Sequence, residues 1–211
     1  MMREIFVPNF YEEGGRIFSL SKDGKSIYGE AVTVRGKSSY RLFSPLRSKL
    51  SSSIKVGLKP VIKREDHVLY LGAATGTTVS HMSDAVSSGA VFSVEVSPVP
   101  FIKLMSLSEV KKNVFPILSD AQRPETFAPF VDRVDLIYQD VSQPNQVDIF
   151  SKNMLFYNSK RGIIMLKTFS LRSELSVKEE IRKIEENFSV EEVKDISRFH
   201  KGHLAITVSS S

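Results

Sequence analysis

The segment over residues 68–78, Val-Leu-Tyr-Leu-Gly-Ala-Ala-Thr-Gly-Thr-Thr, constrains the fold more than any other part of the 211-residue chain. Four apolar residues that end at a glycine are typical of a buried parallel strand. Gly72 and Gly76 allow the backbone to turn tightly and to approach a ligand without an intervening Cβ atom. Thr77 and Thr78 then begin a helix, whose free N–H groups and dipole favour a carboxylate or a phosphate. The segment therefore predicts a nucleotide-binding turn.

This turn lacks the features of two phosphate-binding motifs. A Walker sequence places a lysine after its last glycine, whereas Gly76 is followed by two threonines. The dinucleotide fingerprint needs a middle glycine, and Ala74 occupies that position. A ligand with a ribose and a carboxylate but no phosphates fits better, and S-adenosylmethionine is the common molecule of that description.

Polar side chains stand at or near the ends of the apolar runs that follow the turn. The runs are residues 90–96, 114–118, 134–138 and 162–166, and the polar residues are Glu95, Asp120, Asp140 and Lys167. Ligands bind outside the carboxyl ends of the strands in an open α/β sheet, so we expect these side chains around one crevice. Glu95 follows the turn by about twenty residues, where an acidic group commonly accepts hydrogen bonds from ribose hydroxyls.

The rest of the second half alternates helices with strands. Helices are predicted at residues 77–87, 98–111 and 176–187. Ser176 and Glu179 would form a capping box at the start of the last helix. Two more strands are predicted at Phe188–Val193 and His203–Val208. This order predicts an α/β fold with a mostly parallel sheet of about seven strands.

The N-terminal third has a different composition and pattern. Residues 1–66 contain 13 Lys and Arg against 7 Asp and Glu, a surplus of six, whereas residues 67–211 contain 16 against 17. Short strands are predicted at Ile17–Leu20, Ser26–Gly29, Ala31–Val34 and Tyr40–Phe43, with a Lys-Asp-Gly-Lys hairpin turn between the first two. We therefore predict a small β-rich domain over residues 1–54 before an α/β domain over residues 55–211. A basic surface beside a ligand crevice favours a nucleic-acid substrate, although a basic solvated surface without such a partner also fits the composition.

Several kinds of site are excluded by composition. The chain has no cysteine, which excludes disulfides, thiolate metal sites and cysteine nucleophiles. Its four histidines lack metal-ligand spacing, so no metal cofactor is expected. No run is long and apolar enough to span a bilayer, and the start Met-Met-Arg-Glu is not a secretory signal, so a cytoplasmic protein is expected.

Four segments in this order resemble one known family. They are Arg-Leu-Phe-Ser-Pro-Leu-Arg-Ser-Lys-Leu over 41–50, the turn over 70–78, Asp120-Ala121, and Ile-Tyr-Gln-Asp-Val-Ser-Gln-Pro-Asn-Gln over 137–146. Together, and with the basic β-rich start, they resemble fibrillarin over essentially the whole chain. The Gly/Arg-rich N-terminal tail of eukaryotic members is missing, so the short archaeal form is the closer match.

The resemblance implies a fold, an activity and partners. The fold would be that of a class I, Rossmann-like methyltransferase dependent on S-adenosylmethionine. The activity would be 2′-O-methylation of RNA ribose, on rRNA alone or on rRNA and tRNA, directed by a box C/D guide RNA. The implied protein partners are a Nop-type scaffold protein and a kink-turn-binding protein of the ribosomal type.

The resemblance also implies site residues. The catalytic residues would be Lys49, Asp140, Lys167 and His203. The cofactor would be bound by Gly72, Ala73, Thr77, Thr78, Glu95, Val96, Asp120, Ala121, Asp140, Val141, Ser142 and Gln143. Members often have Trp-Asn before the proline of the first segment, where this chain has Phe43-Ser44, a difference expected at an RNA-facing surface.

Methyl transfer to a 2′-hydroxyl requires that the hydroxyl lie in line with the methyl group and lose its proton. Lys167 would either accept that proton, with Asp140 orienting it, or orient the ribose oxygen as a donor, and the sequence leaves both open. Lys49 would supply a second positive charge near the developing alkoxide. The alternatives are a non-catalytic RNA-binding subunit, against which Asp140 and Lys167 argue, and a small-molecule methyltransferase, against which the basic N-terminal third argues.

Overall fold

The structure is a computed structural model that describes residues 2–168 and 174–210. Its first part is a five-stranded antiparallel sheet with the strand order β1-β2-β3-β5-β4. The strands are β1 (Arg3–Glu4), β2 (Phe10–Glu13), β3 (Arg16–Ser21), β4 (Val32–Arg35) and β5 (Ser38–Leu42). Helix α1 (Lys49–Lys55) follows, and Ser48 caps it by accepting a hydrogen bond from the Ser51 N–H group. The predicted boundary after residue 54 falls inside α1, and the division into two domains stays a prediction.

A seven-stranded sheet forms the second part, with the order β11-β12-β10-β9-β6-β7-β8. Its strands are β6 (His67–Leu71), β7 (Ala90–Glu95), β8 (Val114–Leu118), β9 (Leu136–Gln139), β10 (Arg161–Lys167), β11 (Ser189–Asp195) and β12 (His203–Ser209). The pairs from β8 through β10 are parallel, whereas β12 runs antiparallel to both of its neighbours. The predicted α/β architecture, with its mostly parallel seven-stranded sheet and β-rich N-terminal part, is confirmed.

Helices connect the parallel strands and cover the sheet. They are α2 (Thr77–Ala85), α3 (Pro98–Val110), α4 (Pro124–Phe127), α5 (Gln146–Phe156) and α6 (Glu174–Glu185), with a short 3₁₀ turn at Ala128–Phe130. The predicted capping box is wrong, because Ser176 and Glu179 both lie inside α6. Within the described ranges, no helix is long and apolar enough to cross a membrane.

The two faces of the large sheet carry separate apolar clusters. Along β6, Val68 and Tyr70 belong to one cluster and Leu69 belongs to the other, as the alternation of side chains along a strand requires. The first cluster also contains Phe10 and Phe43 from the N-terminal part, so the small sheet packs on this face through a shared core. The expectation that Phe43 faces RNA is therefore wrong, because its buried ring stacks on His81 at a centroid distance of 4.3 Å.

One predicted strand is absent from the small sheet. Residues 26–29 form a bend, and β3 pairs with β2 and β5 rather than with this segment. The reason is the Glu30 carboxylate, which accepts hydrogen bonds from the N–H groups of Ile27 and Tyr28 and from the Ser26 hydroxyl. Peptide groups held by a carboxylate in this way are not available to a β ladder.

A buried arginine joins the small sheet to helix α2. Arg41 of β5 is completely buried, and its guanidinium donates to the Glu30 carboxylate at 2.6 Å and to the Asp84 carboxylate at 2.7 Å. It also donates to the Ser80 carbonyl oxygen at 2.9 Å. Burial alone would raise the pKa of Glu30, but the N–H groups of its turn and Arg41 lower that pKa to about 2. Glu30 therefore remains a carboxylate opposite Arg41 at neutral pH.

Replacing Arg41 by methionine should destabilise the fold by about 3 to 5 kcal/mol, since it leaves two buried carboxylates without their shared cation. Urea unfolding followed by circular dichroism measures this loss. The matched control is Arg35→Met, which removes an exposed pair with Glu13 on the same sheet and should change the midpoint little. Equal midpoints for the two variants would show that the Arg41 contacts do not stabilise the fold.

Candidate active site

A cleft of about 310 Å³ opens where the first four parallel strands of the large sheet end. It is lined by Gly72, Ala74, Val94, Glu95, Val96, Ser119, Asp120, Ala121, Asp140, Val141, Ser142 and Gln143. The carboxyl ends of β6, β7, β8 and β9 therefore meet at one crevice, as the sheet rule predicts. Among the residues that we expected at a crevice, Glu95, Asp120 and Asp140 line it, whereas Lys167 ends the next strand, β10.

Gly72 brings two strand ends into close approach. Its φ of +81° is in the left-handed region, and a Cβ atom placed there would lie 2.4 Å from the Asp140 carbonyl oxygen. A side chain would thus push the loop after β9 away from the turn after β6. The absence of a side chain at Gly72 therefore allows the turn after β6 and the loop after β9 to lie close together at the cleft.

Glu95 fixes the floor of the cleft. One carboxylate oxygen accepts the Ala74 N–H at 2.8 Å, and the other accepts the Ser97 N–H at 2.8 Å. The buried carboxylate therefore links the turn after β6 to the start of α3, and each oxygen keeps a lone pair for a ligand hydroxyl.

An ion pair stands beside the cleft. The Lys49 ammonium donates to both carboxylate oxygens of Asp140, at 2.6 and 2.8 Å. Lys49 is the first residue of α1, and its position depends on the start of that helix. Thr78 donates to the Ser48 hydroxyl at 2.9 Å, so the beginning of α2 is tied to the cap of α1.

His203 lies within electrostatic reach of this ion pair. Burial is the main cause that lowers the pKa of His203 below 6.5; Lys49 lowers it further, and Asp140 and the Lys201 carbonyl oppose this. The Nδ1 atom lies 2.9 Å from the Lys201 carbonyl oxygen. A carbonyl can only accept, so Nδ1 carries the hydrogen and Nε2 of the neutral ring is an acceptor. His203 and Lys167 face each other in the register of β12 and β10, which brings all four predicted catalytic residues into one region.

Three of the predicted cofactor residues lie outside the cleft lining. Ala73 is buried in the apolar core. Thr77 borders a separate pocket together with Arg47 and His81, and Thr78 is hydrogen bonded to Ser48. A direct role of these three residues in binding stays a prediction.

The structure adds residues that the sequence did not indicate. Ala74, Val94 and Ser119 line the cleft beside predicted residues, and their positions at strand ends could have signalled them. Tyr28 gave no such signal, because it comes from the distant bend in the N-terminal part. Its hydroxyl donates to the Thr75 carbonyl oxygen, and burial is the main cause that raises its pKa to about 12. Through this hydrogen bond, the bend holds the turn after β6 in place.

The comparisons with known proteins agree with this geometry. A family model described as Fibrillarin matches residues 2–211. The chain belongs to the fibrillarin family. A relative from Thermoplasma acidophilum, named fibrillarin-like rRNA/tRNA 2′-O-methyltransferase, is 40% identical over 206 residues, which cover 96% of this chain and 90% of the relative.

Two solved fibrillarin structures share the fold. Fibrillarin of Aeropyrum pernix, in complex with natively bound S-adenosyl-L-methionine, has a TM-score of 0.88 at 29% identity, over 99% of this chain and 97% of that one. A fibrillarin solved in complex with Nop5p has a TM-score of 0.89 at 35% identity, over 96% of this chain and 98% of that one. The predicted class I, Rossmann-like methyltransferase fold is confirmed.

Tyr28→Phe should loosen the turn after β6, because it removes the hydroxyl that donates to the Thr75 carbonyl oxygen. Hydrogen exchange of the amides at residues 73–77 should be several-fold faster than in the wild-type chain. Tyr11→Phe, a change in β2 of the same sheet, is the control and should leave these amides unchanged. Unaltered exchange in Tyr28→Phe would contradict the role of the bend.

Proposed function

We propose that this chain is an S-adenosylmethionine-dependent methyltransferase that modifies ribose 2′-hydroxyls of rRNA alone or of rRNA and tRNA. The observation that carries the proposal is the Lys49–Asp140 ion pair at the edge of the cleft, with His203 within its electrostatic reach. A ligand-binding cleft alone would suit many enzymes, whereas this group of residues can orient a hydroxyl and accept its proton.

The cleft fits this cofactor. Glu95 and Asp120 offer carboxylates to ribose hydroxyls and to an adenine amino group, and Val94 and Val141 offer apolar contacts to a ring. The Gln143 Oε1 atom is buried and has no hydrogen-bond partner among the described residues, so it is available to a ligand donor. When bound, S-adenosylmethionine supplies an electrophilic methyl group on a positively charged sulfur.

Basic residues beside the ion pair support RNA as the other substrate. Arg47 and Lys201 are exposed, and they are near neighbours in sequence of Lys49 and His203. The N-terminal third, which includes Lys49, carries the surplus of positive charge. It packs against one face of the large sheet. Such cations contact phosphates and position the backbone without reading its sequence.

The residues divide the work of the reaction. His203 accepts the hydroxyl proton at Nε2, because Nδ1 is engaged with Lys201 and the ring is neutral near pH 7. Lys49, held by Asp140, offsets the negative charge that develops on the ribose oxygen. Lys167, which ends β10 opposite His203 of β12, orients that oxygen. This assignment takes the second of the two roles that the sequence left open for Lys167.

The proposal includes the partners expected from the sequence. These are a box C/D guide RNA, its target RNA, a Nop-type scaffold protein and a kink-turn-binding protein, in the cytoplasm. Nop5p, with which a 35%-identical fibrillarin was solved, is the model for the scaffold. The guide would select the nucleotide, since phosphate contacts carry no sequence information.

Transfer of labelled methyl from S-adenosylmethionine to a guide-matched RNA tests the function directly. We expect methylation of one ribose by the full assembly, and little by this chain without the scaffold and kink-turn proteins. Asp140→Asn in the same assembly should lower turnover by about 100-fold or more, because Lys49 loses the carboxylate that holds it.

Cofactor binding by calorimetry distinguishes the outcomes of that assay. An assembly that binds S-adenosylmethionine and guide RNA but transfers no methyl group would contradict the enzymatic proposal and favour a non-catalytic RNA-binding subunit. Full turnover by a well-folded Asp140→Asn variant would contradict the role given to the ion pair.

The role of His203 predicts a pH dependence. Because its pKa is lowered, turnover at saturating substrates should stay constant near pH 7 and fall only as the pH drops below 6.5 and the ring gains a proton. His203→Gln should lower turnover by about 100-fold or more and abolish this acid limb.

His200→Gln is the matched control, since the His200 ring lies 6.4 Å from that of His203 and donates to the Pro45 carbonyl oxygen. It should keep the wild-type profile. An acid limb that persists in His203→Gln would transfer the role of proton acceptor to another group, with Lys167 as the first candidate.

A further inference from the structure

A buried glutamine holds the backbone of Lys167 at both of its polar groups. Gln146 Oε1 accepts the Lys167 N–H at 2.8 Å, and Gln146 Nε2 donates to the Lys167 carbonyl oxygen at 2.8 Å. Gln146 is the first residue of α5 and is only 2% exposed. Two bonds from one planar amide to one residue fix both the position and the direction of that strand end.

The geometry of the sheet explains why these bonds are needed. β10 pairs with β9 only over Gly162–Ile164, because β9 ends at Gln139 while β10 continues to Lys167. The Thr168 N–H points toward β12, where it donates to the Gly202 carbonyl oxygen. The polar backbone groups of successive residues along a strand point to opposite sides. The polar groups of Lys167 therefore point to the side that β9 no longer covers. The Gln146 amide has the donor and acceptor of a peptide group and takes the place of the missing strand residue.

A second amide connects Gln146 to the strand that leads to Asp140. Gln139, the last residue of β9, is buried and donates from Nε2 to the Gln146 carbonyl oxygen at 2.6 Å. Asp140 follows Gln139 directly in the chain. The Gln139–Gln146 hydrogen bond thus joins the two ends of the loop that begins at Asp140. Gln146, at the end of this loop, is in turn hydrogen bonded to the backbone of Lys167.

We propose that Gln146 is a positioning residue for the reaction, which sets the place of Lys167 relative to Asp140 through the backbone. It acts through Lys167 and was not among the site residues that the sequence indicated. The inference rests on the proposed function, because it assumes that Lys167 orients the ribose oxygen. A strand end displaced by about 1 Å is enough to lower the rate by roughly 100-fold in an oriented reaction.

Hydrogen exchange and methyl transfer test the two parts of this inference separately. Gln146→Met keeps the length of the side chain but removes both bonds. In this variant the Lys167 amide should exchange about tenfold faster than in the wild-type chain, whereas the Thr168 amide, which bonds to Gly202, should not change. In the assembled complex, kcat should fall by about 10- to 100-fold with less than a twofold change in the Kd of S-adenosylmethionine.

Asn145→Ala is the matched control at the neighbouring position. Asn145 donates to the Gln122 side chain instead, so this variant should match the wild-type chain in exchange and kcat. Gln146→Glu adds a readout that general loosening of the fold would not produce. Its carboxylate repels the Lys167 carbonyl, whereas the protonated acid restores both bonds, so its kcat relative to wild type should rise as the pH falls.

Three results would overturn the inference. Equal exchange of the Lys167 amide in Gln146→Met and the wild-type chain would show that Gln146 does not hold it. Faster exchange with unchanged kcat would make the contact structural only, and a large rise in the Kd would assign Gln146 to cofactor binding. A wild-type assembly without transfer would contradict the proposed function itself, and the exchange comparison would still decide whether Gln146 holds Lys167.

Discussion

The structure depends on one fully buried guanidinium. Arg41 lies between the small sheet and α2, where its charge is balanced by Glu30 on one side and Asp84 on the other. Lys111 and the Ser19 hydroxyl add further bonds to Asp84, so the carboxylate is itself well satisfied. Burial of this charge without its partners would be strongly destabilising. The ion pairs therefore hold the small sheet and α2 in one arrangement.

That arrangement determines the shape of the cleft. Glu30 binds Arg41 and also folds the bend that presents Tyr28 to the turn after β6. Downstream of Arg41 in the chain, the cap of α1 positions Lys49 beside Asp140. The N-terminal part is consequently a support for the site of the α/β part, in addition to being a source of positive charge.

Much of this architecture follows from local patterns. The parallel strands are apolar on both faces and end in polar residues, so the positions of Glu95, Asp120 and Asp140 at one edge were predictable. The bend at residues 26–29 was not, because its strand-like composition is overruled by the single carboxylate of Glu30. The contact of Gln146 with Lys167 was equally hidden, since it joins a side chain to a backbone 21 residues away and leaves no periodic signal. The burial of Phe43 is hidden from the sequence for the same reason, because only tertiary packing reveals its partner His81.

The insertion of β12 between β10 and β11 has a consequence for synthesis of the chain. β12 is the last strand of the described chain, yet it occupies an interior position in the sheet and brings His203 opposite Lys167. Until β12 has been made and has docked, the edge of β10 is open and His203 does not lie opposite Lys167. Chains without β12 would thus carry the basic N-terminal part and a partly formed cleft, but not the pairing of His203 with Lys167. Docking of β12 is therefore the step that fills the interior of the sheet and brings His203 into the region of Lys49, Asp140 and Lys167.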